Sequence, residues 1–553
     1  MLLKNNKILI VAFFVNFTNF FCNAAVTIEP LNASTLYGLD NVQIDTITQF
    51  ISQKASLIKY SEENRIQDSV ISDISNHLSE KLKSFSNITH KQELFDQLYL
   101  YIIDQKFNKE ADFYSLATEL ANFRNFFRLK SPIQDQILKG EMLYLVQSIL
   151  EEILYVGYSK FNLSTDGNEN KKSWRWIPDP INKEEKPADS SFDLRGMTIR
   201  NGDILLSKAT GSGSSALISM ISSIPHVFSH STIAIITYLD RKLQLLSPEA
   251  DIADGVKLRD FGDYKEGVKT RLFVYRLHNQ NLDIKEKIHR ATEAFIKRMY
   301  EITPDPFNKK AFNYDFNLNA GIADSEGAYF CAAIPCRIYA NSGLEDSMNP
   351  YPKTLWTKPR KGDIREQLYK FLKIPNSPSI APGDMEENSN FELVGTEIQL
   401  HRLEVERIEV AILDSLFDLL EENENLVKEL VEKTETLGNE PVTTEQLQNL
   451  VKLKILPEAA LSKIPDDIKP SQMIFFGYIN QVFTPKIEAI LMRSLNEKKQ
   501  QGIIEGPQEL RLQAYRIQSK KLSELRQGTI SLVNELKKSK KRLKSSSCLS
   551  TLS

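Results

Sequence analysis

Two of the four cysteines of this 553-residue chain, Cys331 and Cys336, lie five positions apart in the stretch EGAYFCAAIPCRIYA. Closely spaced cysteines can form a disulfide, bind a metal ion or supply a thiol nucleophile. A disulfide between them does not close if the stretch is helical, because five helical residues separate the Cα atoms by more than the ~7 Å that a disulfide spans. A zinc site needs a Cys-x-x-Cys or His spacing with a second pair of ligands, and none lies nearby. We therefore predict no metal and no cofactor, and we interpret one cysteine as a nucleophile.

Cys331 is the better placed of the two thiols. The strand-like AYF runs into it and the helical AAIPCRIYA follows, so the pattern predicts a thiol at the N-terminus of a helix. Free backbone N–H groups and the helix dipole favour a thiolate there. This matters because an ordinary thiol is only about 3% ionised at pH 7. The alternative interpretation is an inert buried cysteine.

A nucleophilic thiol needs a base, and the chain has only seven histidines. His230 opens an alternating, strand-like run in IPHVFSHSTIAII and is our candidate general base. His226, four positions earlier, is interpreted as a loop residue. The pair lacks the glutamate of a His-Glu-x-x-His metal site.

A third group must fix the tautomer and orientation of the imidazole. Glu249, in LQLLSPEADIADGV at the end of the next predicted strand, lies beside His230 if the two strands pair antiparallel. The alternatives are that Glu249 is an ordinary turn carboxylate or that Asp251 takes this place.

The elements that position these residues divide the chain into several regions, as expected for a length beyond what one core serves. Apolar residues at helical spacing predict an N-terminal helical domain over 36–160, and a polar, proline-containing stretch predicts a linker over 161–192. Short β-branched runs and one amphipathic helix predict a mixed α+β domain with an antiparallel sheet over 193–396. Helical periodicity returns over 397–545. Polar residues such as Gln518 interrupt the apolar heptad positions there, which favours a helical hairpin over a long coiled coil.

The first residues predict a cleaved signal peptide over 1–25. Lys4 and Lys7 precede a short apolar run, and Ala24 and Ala25 supply small residues for cleavage. A membrane anchor is the weaker alternative, because the run is short and polar residues interrupt it. A lipid-modified Cys22 is disfavoured by the bulky residue before it. We therefore expect an exported protein, periplasmic or secreted.

Composition gives little information about partners. The chain is 41% apolar and 25% charged with a net charge of −3, which favours no nucleic-acid partner. The basic run KKSKKRLK near the C-terminus could bind a protein or an acidic surface, although a solvated helix end explains it equally simply. A Gly-Ser loop, KATGSGSSALISM, lacks the Gly-Lys-Ser/Thr ending of a phosphate-binding P-loop.

The order of these pieces resembles the permuted papain-like cysteine hydrolases of the NlpC superfamily, the YaeF/YiiX type. The resemblance covers about 200 of the 553 residues, and no single motif carries it alone. Six segments match in order: NGDILLS (201–207), FSHSTIAI (228–235), PEADIADGVKLRDFGDY (248–264), NYDFNL (313–318), AYFCAAIPCRIY (328–339) and APGDMEENSNFELVG (381–395).

The resemblance implies a permuted papain-like fold in which the histidine strand precedes the nucleophile. Carried over by residue, it implies Cys331 as nucleophile, His230 as general base and Glu249 as the residue that orients the base. Two dipeptides of the family also match in type, and they are Gly202-Asp203 at the domain start and Tyr314-Asp315 before the nucleophile.

The chain departs from the family after the cysteine. Ala332 and Ala333 stand where the family usually has Ser-Glu, and Pro335 removes an N–H from the first helical turns. The leading hypothesis is an exported thiol hydrolase that cleaves an amide bond of peptide or peptidoglycan type. One alternative is an acyl-ester or lipid hydrolase, or an acyltransferase, on the same fold. Another is a catalytically inactive helical interaction protein.

Overall fold

The computed structural model describes residues 110–550 with several gaps. The predicted signal peptide, most of the N-terminal helical domain and the Gly-Ser loop from 210 onward lie outside the described residues. Two compact units are present, one formed by Met1–Trp176 with Ile224–Val227 and the other by Ile177–Ser223 with Phe228–Ser553. The gaps are 131–135, 162–172, 179–190, 210–225, 240–241, 253, 262–268, 279–280, 316–326, 345–370, 372–379, 462–463 and 465–467.

The first unit contains two helices, α1 (Glu110–Lys130) and α2 (Gln136–Phe161), as predicted for this part of the chain. A short strand, β1 (Ser173–Trp176), follows within the stretch predicted to be a linker. Its sequence SWRW has the two-residue period of a strand, with both tryptophans buried. The indole of Trp176 donates a hydrogen bond to Asn122 Oδ1 at 3.1 Å, which attaches the strand to α1.

The second unit is a mixed α+β fold whose strands pair mainly antiparallel. In the larger sheet, β12, β9, β4 and β5 lie side by side in that order, and a second sheet has the order β6-β7-β8. The strands β2 and β3 form an antiparallel pair, whereas β10 and β11 pair in parallel. The bounds are β2 (Ser191–Leu194), β3 (Met197–Arg200), β4 (Ile204–Ala209), β5 (His230–Ile233), β6 (Ile235–Leu239), β7 (Lys242–Asp251), β8 (Gly255–Asp260), β9 (Lys269–Leu277), β10 (Asn313–Tyr314), β11 (Ala328–Tyr329) and β12 (Phe391–Gln399).

The run HSTIAIITYL, predicted as one strand, is broken at Ala234. The part before the break, β5, belongs to the larger sheet, and the part after it, β6, belongs to the second sheet. Ala234 donates its N–H to Asp203 O at 2.7 Å and accepts the N–H of Gly202 at 2.8 Å, so the Gly202-Asp203 turn satisfies the backbone at the break. The chain can therefore pass from one sheet to the other without a loop.

Both residues of the Gly202-Asp203 turn stabilise the fold. Gly202 has φ +87, and a Cβ there would lie 2.4 Å from a side-chain carbon of Ile288. Ile288 belongs to the amphipathic helix α3 (Leu282–Ile302), so the glycine allows the helix to approach the turn. The Asp203 carboxylate is fully buried and accepts two hydrogen bonds from Arg276, at 2.9 and 2.7 Å.

The C-terminal helices share one apolar core in the second unit. Their bounds are α5 (Leu403–Glu422), α6 (Glu424–Glu435), α7 (Thr444–Lys452), α8 (Glu458–Leu461), α9 (Pro470–Met473), a π-helical stretch (Ile474–Phe483), α10 (Thr484–Gln500) and α11 (Pro507–Ser550). Thus α10 and α11, joined by a short connection, form one part of a larger bundle. No helix in the described part of the chain is both long and apolar enough to cross a membrane.

Gln518, which interrupts the heptad pattern of α11, is a buried core residue. Its amide donates to Ile412 O at 2.7 Å and accepts from Ser415 Oγ at 2.8 Å. Both partners lie on α5, so the interruption is a satisfied polar contact between two packed helices. In the basic run, Lys538 pairs with Glu535, and Lys540 donates to Leu437 O at 3.1 Å.

A buried ion cluster joins the larger sheet to α5. Lys208 on β4 and Arg271 on β9 are cross-strand partners, and both contact Oε1 of Glu406 in the first turn of α5. The Lys208 Nζ to Glu406 Oε1 distance is 2.9 Å. Burial raises the pKa of Glu406, but the two cations outweigh burial and lower it to about 2.

Removing the Glu406 carboxylate should strongly destabilise the fold. The variant Glu406→Ala removes the carboxylate that both buried cations contact, and breaking a buried ion pair costs about 3–5 kcal/mol of unfolding free energy. The matched control is Glu429→Ala, which removes a solvent-screened ion pair to Arg526 on the bundle surface and should change the unfolding free energy far less. Urea unfolding measures both. Equal and small effects would show that the cluster does not stabilise the junction.

Candidate active site

Cys331 lies in the turn between β11 and the helix α4 (Ala333–Asn341), as the sequence predicts. Ala332 is the N-cap of this helix, and the backbone N–H groups of Ala332 and Ser231 donate to the Cys331 sulfur. The residue is 3% exposed. The sulfur therefore occupies a helix N-terminus, where backbone donors stabilise negative charge.

Pro335 does not disturb this helix start. It is the third residue of α4 after the N-cap, a position whose N–H has no intrahelical acceptor in any α-helix. The missing donor of proline therefore costs no helical hydrogen bond.

His230 is the first residue of β5 and pairs with Ser207 of β4. Its imidazole forms a side-chain hydrogen bond with Cys331, and its Nε2 contacts Oε2 of Glu249. Since Nε2 is engaged by the carboxylate, Nδ1 is the ring nitrogen that remains for the sulfur. Residues 230 and 331, which are 101 positions apart, thus meet at the start of α4.

Glu249 reaches His230 because β7 runs beside β5 as well as β6. The Thr232 hydroxyl of β5 donates to Pro248 O of β7 at 2.7 Å, which continues the contact past the break at Ala234. Ser247 Oγ donates to Glu249 Oε1 at 2.9 Å, so one carboxylate oxygen is held by Ser247 and the other faces the imidazole. Asp251, the competing carboxylate, ends β7 as an exposed residue.

Electrostatics favour a thiolate–imidazolium pair. Burial raises the pKa of the Cys331 thiol, but the hydrogen bond and charge of His230, with the two backbone donors, outweigh burial and lower it. Burial and the Lys269 ammonium lower the pKa of His230, but Glu249 and Cys331 outweigh them and raise it to about 9. Burial raises the pKa of Glu249, but His230, Lys269 and Ser247 outweigh burial and lower it to about 2.

Cys336 has the opposite electrostatics. It lies inside α4, it is free like Cys331, and burial followed by the charge of Asp384 raises its pKa to about 12. Two thiols of similar burial therefore differ in pKa because, among the described residues, a histidine faces Cys331 and none lowers the pKa of Cys336. The side chain of Cys548 lies outside the described residues.

The family resemblance implied Tyr314-Asp315 as the dipeptide before the nucleophile, but neither it nor the residue patterns pointed to Lys269. The parallel pairing of β10 with β11 sets Tyr314 beside Tyr329, and burial, followed by the charge of Cys331, raises the pKa of Tyr314. Lys269 opens β9, and its Nζ lies 3.9 Å from Glu249 Oε2. The only sequence signal for Lys269 is that it precedes a buried strand.

The His230–Glu249 pair predicts a specific dependence of stability on pH. Because the pKa of His230 is raised from 6.5 to about 9 on folding, its contribution is complete below pH 6.5 and is lost as pH rises to 9. The lowered pKa of Glu249 gives a contribution that is present above pH 4.5 and lost as pH falls to 2. In the wild type, however, the imidazolium keeps the proton that the Cys331 thiol gives up, so between pH 6.5 and about 8.5, the ordinary pKa values of the two groups, the folded and unfolded chains bind equal numbers of protons. The free energy of unfolding of the wild type, minus that of His230→Gln, should therefore stay constant over that range and should fall by up to about 1.4 kcal/mol per pH unit as pH drops below 6.5. Urea unfolding at several pH values measures it, and a difference that stays constant below pH 6.5 as well would contradict the assignment.

Within the described residues, no group of three or more His, Cys, Asp or Glu side chains is arranged to hold a metal ion. No protein-family model, curated protein or solved structure matches this chain.

Proposed function

We propose that the protein is a cysteine hydrolase of the permuted papain-like type. The observation that carries the proposal is the hydrogen-bonded series Cys331–His230–Glu249, in which a thiol at a helix start faces an imidazole held by a carboxylate. A nucleophile, a base and a group that orients the base are what acyl transfer requires. Supporting it, the sheet strand that bears the histidine precedes the nucleophile in the chain, which is the permuted order of the NlpC-superfamily resemblance.

The chemistry proceeds through a thioester. The Cys331 thiolate attacks the carbonyl carbon of the substrate, and the oxyanion that forms accepts hydrogen bonds from backbone N–H groups at the start of α4. His230, as imidazolium, donates its proton to the leaving nitrogen or oxygen, and the C–N or C–O bond breaks. Water then attacks the thioester, His230 takes a proton from that water, and the acid and the Cys331 thiolate are released.

The leading substrate class is an amide of peptide or peptidoglycan type, consistent with an exported protein. The same steps cleave an acyl ester, and an acceptor alcohol or amine in place of water makes the reaction an acyl transfer. Hydrolysis or transfer of an acyl lipid is therefore the second candidate.

A third candidate is an interaction protein without catalysis. The observation that favours it is the low exposure of Cys331, which is 3%, together with the large helical bundle of residues 403–550. In that case the bundle and its basic C-terminal run would be the functional surface, with a protein or an acidic surface as partner.

Trapping the acyl-enzyme tests these candidates together. The full chain is mixed with peptide amides, peptidoglycan stem peptides, acyl esters and acyl lipids, quenched in acid and analysed by intact mass and peptide mapping. A hydrolase gives an adduct on Cys331 whose mass identifies the acyl group, and His230→Gln should not accumulate it. If none of these substrates acylates Cys331 and a small electrophile also fails to label it, the enzymatic proposal is wrong.

A further inference from the structure

A partly buried lysine lies beside the three proposed catalytic groups. Lys269 is the first residue of β9, and its side chain is 14% exposed with Nζ 3.9 Å from Glu249 Oε2. On one side of β4, Lys269 pairs with Ala209. On the other side of β4, His230 pairs with Ser207, two residues before Ala209. The larger sheet therefore carries the lysine and the histidine at the same end of the two strands that flank β4.

We infer that Lys269 is a positioning residue of this site, whose ammonium keeps the Glu249 carboxylate ionised and sets the pH range in which the Cys331–His230 pair is a thiolate and an imidazolium. The inference rests on the proposed function. Lys269 acts through Glu249, His230 and Cys331, so it need not touch the substrate.

The charges around Lys269 come from several elements. Burial lowers the pKa of its ammonium, and the negative groups on β7 and before α4 oppose burial. The titratable groups that face this region are Glu249 and Asp251 on β7, Arg259 on β8, His230 on β5, Cys331 before α4, and Tyr314 with Asp315 at β10. The anionic carboxylates explain how a cation is retained at a buried position.

A fixed positive charge has opposite effects on the two reacting groups. It favours the thiolate of Cys331 and disfavours the imidazolium of His230. An imidazolium that is less stable releases its proton more readily to a leaving group. The lysine thereby offsets part of the stabilisation that Glu249 gives to the protonated imidazole. Without the ammonium, both the thiol and the imidazolium should hold their protons to higher pH.

The test follows the alkylation rate of Cys331 by iodoacetamide from pH 4 to 10, with peptide mapping to separate Cys331 from Cys336. The rate should show a low-pH step, where the ion pair forms, and a high-pH step, where the imidazolium loses its proton. In Lys269→Met, both midpoints should move up by about one to two pH units, as expected for removal of one charge at a separation of roughly 6 to 12 Å and an effective dielectric constant near 20. Lys269→Arg keeps the charge and should restore both midpoints.

A matched control is Lys257→Met. Lys257 is the cross-strand partner of Glu249 and has a similarly covered side chain, but its Nζ pairs with Asp254 at 3.2 Å. The variant Lys257→Met should leave both midpoints of Cys331 alkylation at their wild-type positions. If Lys269 acted only through packing, Lys269→Met would leave both midpoints unchanged, and the charge kept in Lys269→Arg would make no difference to them.

Failure of this inference is distinguishable from failure of the proposed function. If wild-type Cys331 titrates as an ordinary thiol, the proposed function fails. If wild-type Cys331 shows the low-pH step, the proposed function stands and three results would overturn only the role of Lys269. These are unchanged midpoints in Lys269→Met, a failure of Lys269→Arg to restore the midpoints, and a shift in Lys257→Met as large as that in Lys269→Met. Should Lys269→Met not fold, Glu249→Gln/Lys269→Met removes both charges, and its midpoints should lie about one to two pH units above those of Glu249→Gln.

Discussion

Replacing Cys331 by alanine is expected to abolish turnover of the substrate found by acyl-enzyme trapping. The substitution removes the atom that forms the thioester, so the rate should fall by a factor on the order of 10³ or more. Folding should change little, because one small buried side chain replaces another. The measurement is steady-state turnover with purified full-length protein, accompanied by circular dichroism and urea unfolding.

The matched control for this prediction is Cys336→Ala. Cys336 lies five residues later, inside α4, and is also buried, yet burial raises its pKa to about 12 and no histidine of the described residues lowers it. Turnover by Cys336→Ala should stay within a few-fold of the wild type. Full activity in Cys331→Ala, or equal loss in both variants, would remove Cys331 from the mechanism.

The second large effect is expected for His230→Gln. Without the imidazole, burial dominates at Cys331 and the pKa of its thiol rises above the ordinary value near 8.5. At pH 6 the thiolate fraction then falls below about 1%, so alkylation of Cys331 should slow by on the order of 10²-fold. Turnover should fall by at least as much, because the general acid and base is also gone.

His289→Gln is the control for the histidine prediction. His289 lies on α3 with a half-exposed side chain and contacts Asn201 and Glu293, away from the thiol. Its substitution should leave both the alkylation rate and turnover near wild type. If His230→Gln alkylates at pH 6 as fast as the wild type, the imidazole does not activate the sulfur.

Much of the α+β region was predictable from the sequence, because its signals are local. The alternating runs correspond to β3 to β9, and the amphipathic run corresponds to α3. The helix start after Cys331 was also predictable, since the change from strand-like AYF to helical AAIPCRIYA is read within a few residues. A short strand such as β1, with only four residues, gave a weaker signal and lay within a polar stretch.

The contacts within the candidate site were harder to predict because they depend on pairing between distant strands. Glu249 could be assigned only on the condition that its strand lies beside that of His230, and the break at Ala234 that permits this is formed by the turn at Gly202. Lys269 reaches Glu249 only because β9 pairs with β4 at a particular register. No local periodicity contains that information.

Polar residues in the helical bundle were misleading for a related reason. A glutamine at a heptad core position makes the sequence of α11 look less like a buried helix, yet Gln518 is buried with both amide atoms bonded to α5. Glu406 reads as an ordinary acidic residue of a helix first turn, and its two cationic partners lie on strands more than 130 residues earlier. Such contacts become visible only when the elements are packed together.

Activation of the Cys331 sulfur by His230 is tested most directly by the pH dependence of Cys331 alkylation in the wild-type full chain. Cys336 in the same samples is the internal reference. We expect Cys331 to react at pH 6 with an apparent pKa well below that of a free thiol near 8.5, while Cys336 stays unreactive up to about pH 10. A Cys331 that reacts only above pH 8.5, or no faster than Cys336, would contradict the account.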